Sequence, residues 1–147
     1  MGERDSQGAP QELSEKLSSL AKRNEVTTAR SALVVDDDMD FCTIAREMLK
    51  WRGFETRVAY SAADALSKLR HMQPQVMLVD IMMPAVDGLQ LIRKIRSDSK
   101  FANTRIIVIT ARAIMDMLVA SKEAGADSFL TKPVSLDELT LAIDRPM

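Results

Sequence analysis

The chain has 147 residues, 46% hydrophobic and 28% charged, with a formal net charge of -1, the composition of one ordinary globular domain. So even a balance argues against a broad phosphate-binding surface, and with it against direct nucleic-acid binding. The lone Cys42 excludes an intrachain disulfide and fits a reducing compartment. No apolar run approaches the roughly 18 residues of a membrane span, and the polar start Met1-Gly2-Glu3-Arg4-Asp5 is not a secretory signal. A cytoplasmic protein with no membrane insertion is expected.

Residues 1–30 form a tail in which Gly2, Gly8, Pro10 and several serines sit among charges. Leu13, Leu17 and Leu20 recur there at helical spacing, which allows one amphipathic helix near 11–24, marginal on its own in water. Residues 31–147 read as the folded domain. Strands are expected near 32–36, 54–59, 75–80, 105–110 and 126–130. Helices follow each, near 39–52, 62–72, 88–98, 112–124 and 135–144. Asp38 is a candidate N-cap and Gly53 a C′ residue for the first helix. The second starts after Ser61 with a stripe of Ala65, Leu66 and Leu69, and stops before Pro74. Gly125 ends the fourth, and Ser135 with Glu138 makes a capping box for the fifth. Strict alternation of this kind implies right-handed crossovers and a parallel sheet covered on both faces. The continuous apolar runs 32–35, 76–79 and 106–109 suit central strands. Glu55, Thr56 and Arg57 suit an edge.

Four strand patterns deliver a polar group at the carboxyl end: Asp36-Asp37-Asp38, Asp80, Thr110, and Thr131-Lys132-Pro133. In an open parallel sheet that edge is where ligands bind. Carboxylates crowded within a few ångströms repel strongly, so either one stays protonated or a cation sits between them. Hard oxygen ligands of this kind suit Mg²⁺. A carboxylate beside Mg²⁺ and an ammonium can attack phosphorus, because both cations neutralise charge spreading over the phosphoryl oxygens. Asp80 would then become an aspartyl phosphate. The plainer alternative, in which Asp36–Asp38 only caps a helix and Asp80 faces solvent, does not explain four coincident strand ends.

The segments Leu33-Val34-Val35-Asp36-Asp37-Asp38, Met77-Leu78-Val79-Asp80-Ile81-Met82-Met83-Pro84 with Asp87-Gly88, Ile109-Thr110-Ala111 and Thr131-Lys132-Pro133 resemble the receiver domains of two-component response regulators, those of chemotaxis included. The likeness runs from about Ala32 to Ile143, in order and spacing. It implies an α/β, flavodoxin-like five-stranded sheet of order 2-1-3-4-5 with helices on both faces. By this resemblance Asp80 is the phosphoacceptor and Asp37 a direct ligand of Mg²⁺ (or Mn²⁺). Asp36 would reach the metal through water, and the backbone carbonyl of Met82 would add a ligand. Lys132 would contact the phosphoryl group and precede a cis bond to Pro133. Thr110 and Phe129 would be the pair that rearranges on phosphorylation. The implied partners are a histidine kinase or histidine phosphotransfer protein, a downstream target or fused output domain, or a second copy in a homodimer.

Met82 and Arg112, two positions after Asp80 and Thr110, are the side chains expected to set the lifetime of the phosphate. Ile114, Met115 and, on the fifth helix, Leu141 are expected to be partly exposed on an output face, with Leu118, Ala120 and Ala124 packing the fourth helix on the sheet. His71 is expected far from the strand edge, Cys42 as a small packing residue, and Trp51 as a cover over the base of the first helix. The domain is expected to be a switch rather than an enzyme. A phosphohydrolase with an aspartyl intermediate would want an acid–base group where Met82 stands. A flavodoxin-like electron carrier would want a Ser/Thr/Gly loop where Asp36–Asp38 would repel its phosphate. A receiver kept only as a docking surface would not need the intact set Asp36, Asp37, Asp80, Thr110 and Lys132. The ending Asp144-Arg145-Pro146-Met147 slightly favours a receiver belonging to a longer chain.

Overall fold

The computed structural model describes Glu15 and residues 30–83, 88–112 and 114–146. Apart from Glu15, the helix expected near 11–24 lies outside the described residues. The chain divides into two compact units, Met1–Arg30 and Ser31–Met147.

In the second unit strands and helices alternate: β1 Ser31–Val35, α1 Met39–Trp51, β2 Glu55–Ala59, α2 Ala62–Leu69, β3 Val76–Asp80, α3 Gly88–Arg96, β4 Arg105–Thr110, α4 Met115–Ala124, β5 Ser128–Thr131 and α5 Leu136–Asp144. A short 3₁₀ turn, Ser99–Phe101, precedes β4. The strands are parallel in the order β2-β1-β3-β4-β5, the flavodoxin-like sheet expected. The apolar runs are the central strands β1, β3 and β4, and the mixed one is an edge.

Alternation along each strand divides the core in two. Leu33, Val35, Met77, Val79, Ile106 and Val108 face α2, α3 and α4, where they meet Ala65, Leu69, Leu91, Ile92, Ile95 and Ala124. Ala32, Val34, Val76, Leu78, Ile107 and Ile109 face α1 and α5, against Phe41, Ala45, Leu49, Leu139 and Ala142. Burying each such Leu, Ile or Phe contributes about 1.5–3 kcal/mol.

Local chemistry sets the helix ends. The Asp38 carboxylate accepts from the amides of Asp40 and Phe41, Ser61 from Asp64, and Ser135 and Glu138 close a reciprocal capping box; each cap is worth about 1 kcal/mol. Gly53, after α1, has φ +89. Gly125, after α4, has φ +115, and a Cβ there would also meet Arg96 Cγ at 2.5 Å. Arg96 donates to the carbonyls of Gly125 and Phe101 and pairs with Asp127 at 2.8 Å.

Several expectations change. α2 ends at Leu69 rather than 72, and α3 at Arg96 rather than 98. α4 begins at Met115 rather than 112, and its N-cap Ile114 is extended (φ -99, ψ 134) with no side-chain cap. β5 begins at Ser128 rather than 126, because the Asp127 carboxylate, not a strand carbonyl, takes the Ile106 amide. Trp51, expected as a cover, is 78% exposed at the end of α1, since the buried stripe of that helix runs through Phe41, Cys42, Ala45 and Leu49. Among the described residues no helix is long and apolar enough to cross a membrane.

Candidate functional site

The period of two brings the polar strand ends together. Asp80 follows Val76 and Leu78 on the α1/α5 side of β3, and Asp36 continues the same side past the end of β1. Lys132 does so past β5, where its amide donates to the Thr110 carbonyl at 2.8 Å. One carboxylate oxygen from each of Asp36, Asp37 and Asp80 lies within 4.8 Å of the other two. Asp36 and Asp80 are buried, 1% and 6% exposed, while Asp37 faces solvent.

Each carboxylate is oriented separately. Asp36 Oδ1 accepts from the Asp38 amide at 2.9 Å. Asp80 Oδ1 accepts from the Met82 amide at 2.8 Å. The Lys132 ammonium stands 2.7 Å from Asp36 Oδ2 and 3.5 Å from Asp80 Oδ2, and 4.4 Å from the centre of the Phe41 ring. The Lys132–Pro133 peptide is cis. Among the described residues, the buried Asp36 Oδ2 is met by the Lys132 ammonium as an ion pair and by no aligned hydrogen-bond donor. Three carboxylates whose oxygens lie this close, two of them buried, form a hard oxygen set that fits a divalent cation, so these three residues can hold one.

Burial raises the pKa of Asp36 above the usual carboxylate range, and the nearby Asp80 adds to this; Lys132 and the Asp38 amide pull the other way without prevailing. Burial alone would lower Lys132, but Asp36 and Asp80 outweigh it and its pKa is raised. The ammonium therefore stays charged. Burial, with the fields of Asp36, Asp38 and Asp37, pushes the Cys42 thiol up to about 12. Its Sγ–H donates to the Asp36 carbonyl at 3.2 Å. Cys42 is thus a packing residue that also braces the acidic loop.

Thr110 and Phe129 lie on the other side of the sheet. Thr110 is fully buried and its Oγ1 accepts a long, 3.4 Å bond from the Arg112 amide. Phe129 is partly buried against the α2/α3/α4 core. Arg112 is exposed, and Met82 is 52% exposed beside Asp80. On α4, Met117, Ser121 and Ala124 make the packed side. Leu118 and Ala120, expected there, are only half-buried, because the helix is turned so that 117, 121 and 124 meet the sheet. Ile114, Met115 and Val119 are exposed, and so is Leu141 on α5. His71 is exposed on the loop entering the amino end of β3, away from the carboxylates.

Two contacts escaped the sequence reading. The Phe41 ring under Lys132 had no signal beyond its place in the buried stripe of α1. Gly88 did have one, a glycine opening a helix. A Cβ there would come within 2.5 Å of the Asp80 carbonyl and 2.7 Å of Ile81 Cα, so only glycine lets α3 start this close to the loop after β3.

Residues 32–144 match the response regulator receiver domain family. Response regulator MprA of Mycobacterium avium (strain 104) is 37% identical over 107 residues, which cover 73% of this chain and 46% of that protein. The chain thus spans about half the length of the curated relatives it matches. A CheY-like response regulator receiver domain protein from Methanospirillum hungatei JF-1 superimposes with a TM-score of 0.73 at 28% identity, covering 79% of this chain and 91% of that one. So does a response regulator from Burkholderia pseudomallei, with a phosphorylated aspartic acid, a calcium ion and citrate, at TM-score 0.73 and 27% identity, covering 79% and 67%.

Proposed function

The chain belongs to the response regulator receiver domain family, and from that premise we propose that Asp80 is its phosphoacceptor and that phosphorylation there requires Mg²⁺ or Mn²⁺. One observation carries the reading: Asp80 is buried beside two other carboxylates, with one oxygen held by the Met82 amide and the other facing the Lys132 ammonium. A carboxylate so fixed is a nucleophile with its charge compensated from one side only. The phosphorylated aspartate of the Burkholderia pseudomallei relative supports the same chemistry here.

Asp36, Asp37 and Asp80 would hold the metal, with the Met82 carbonyl as a further ligand. When bound, the ion supplies positive charge to the phosphoryl oxygens and offsets repulsion among the carboxylates. The chain's own residues do the rest. An Asp80 oxygen forms a bond to phosphorus as the bond to the donor breaks. The bonding pair leaves with the donor, a phosphohistidine nitrogen of a histidine kinase or histidine phosphotransfer protein. Lys132 neutralises a phosphoryl oxygen, and burial limits competing water. Thr110 then turns its hydroxyl toward the phosphoryl group and Phe129 moves into the space behind it. The face formed by α4, β5 and α5, with Ile114, Met115 and Leu141, changes shape for a downstream partner, a fused output domain or a second copy. The setting is the cytoplasm, and the role is a switch rather than a metabolic enzyme.

Incubation with acetyl phosphate and Mg²⁺ should add one phosphoryl group, read by intact mass. The adduct should vanish in Asp80→Asn and in EDTA. An adduct that persists in Asp80→Asn overturns the assignment.

A further inference from the structure

We infer that Phe41 is a positioning residue for phosphoryl transfer, its ring face holding the Lys132 ammonium at the height of Asp80. The inference rests on the reading of Asp80 as acceptor. Lysine has a long, rotatable stem and a strongly hydrated head. Here the head lies largely out of water, with Asp36 2.7 Å away, Asp80 3.5 Å away and the Phe41 ring centre 4.4 Å away. The two carboxylates alone do not determine where it rests, because Asp36 is closer and draws it away from Asp80. The ring supplies a third attraction, from the negative face of its π system, at a distance well inside the roughly 6 Å over which such contacts act.

Phe41 is itself well fixed. It is 9% exposed within the α1/α5 core, and its amide donates to the Asp38 carboxylate at 3.2 Å. The N-cap of α1 therefore locates the ring, and the ring locates the ammonium. A leucine in its place would fill similar space and exclude water as well, but it has no charge distribution to hold a cation. That difference separates positioning from packing.

The test places ring-fluorinated phenylalanines at position 41 of the full chain, beside Phe41→Tyr and Phe41→Leu. Fluorine drains the ring face with little change in volume. The second-order rate of Asp80 phosphorylation by acetyl phosphate with Mg²⁺ should fall stepwise with fluorination, to about tenfold below wild type in the most fluorinated chain. Phe41→Leu should fall as far, and Phe41→Tyr should keep most of the rate. By NMR the Lys132 ε-methylene protons should lie upfield in the wild type, shifted by the ring current, and return in Phe41→Leu. Rates indifferent to fluorination would reduce Phe41 to packing, and an unshifted wild-type methylene would remove the contact; either overturns the inference. A wild type that takes no phosphoryl group on Asp80 while its methylene remains upfield-shifted removes the acceptor reading and supports the ring contact.

Discussion

Lys132 stands nearer to Asp36 than to Asp80, 2.7 against 3.5 Å. The ammonium thus stands closest to the most buried carboxylate of the cluster, and Asp80 keeps an oxygen only loosely paired. This arrangement places reactivity ahead of stability. Asp36 loses hydration on burial and stands beside Asp80, which is why its pKa is raised despite the lysine.

A folded-state pKa above the unfolded one means that Asp36 favours the fold fully only when protonated. That contribution is lost as pH rises from 3.8, the ordinary value, through the raised one. Above that ordinary value the group therefore works against folding. Asp36→Asn should melt a few degrees higher than wild type in EDTA at neutral pH, with the gap closing as pH falls toward 3.8. Added Mg²⁺ should raise the melting temperature of the wild type more than that of the variant. Thermal melts with and without metal check both, and a variant that melts lower in EDTA would mean that the pair with Lys132 outweighs burial.

Hydrolysis of an aspartyl phosphate needs a water aligned opposite the aspartyl oxygen. Met82, half-exposed beside Asp80, cannot hold one, and the exposed Arg112 can shield phosphoryl oxygens. One well-oriented hydrogen bond to such a water would speed hydrolysis about threefold to tenfold. Met82→Asn with Arg112→Glu should shorten the half-life of the adduct by that factor, followed by the decay of the phosphorylated mass. An unchanged half-life would show that neither side chain gates the water.

Thr110 is buried and, among the described residues, its hydroxyl is held by one long bond, from the Arg112 amide. A bond to a charged phosphoryl oxygen, worth about 1.5–3 kcal/mol, would outbid it. Thr110→Ala should accept a phosphoryl group at close to the normal rate yet respond weakly, read as phosphorylation-dependent association with a partner or a second copy. Normal association in Thr110→Ala would route the coupling elsewhere.

Met115 and Leu141 are 70% and 71% exposed, on α4 and α5. Replacing both with Glu should leave the fold and Asp80 phosphorylation intact while weakening phosphorylation-dependent association by tenfold or so, as expected for about 1.4 kcal/mol. Gel filtration or titration of the phosphorylated protein measures it. Association unchanged by both charges would place the output face elsewhere.

The sequence by itself determined the elements and the edge that carries the carboxylates. Caps such as Asp38, Ser61 and Ser135 act within three residues, and strand alternation repeats every two, so both are written locally. The polar strand ends put Asp36, Asp80, Thr110 and Lys132 at one edge, and the structure set Thr110 and Phe129 on the other face of the sheet from the carboxylates. Tertiary structure decided what lies across from what. The Phe41 ring under Lys132, Gly88 against the Asp80 carbonyl and Arg96 on Gly125 each join groups by packing rather than by spacing along one element. Trp51 and the turned face of α4 went astray for the same reason. Hydrophobicity says that a side chain can be buried, but only the rotation of each helix on the sheet decides which apolar groups are covered.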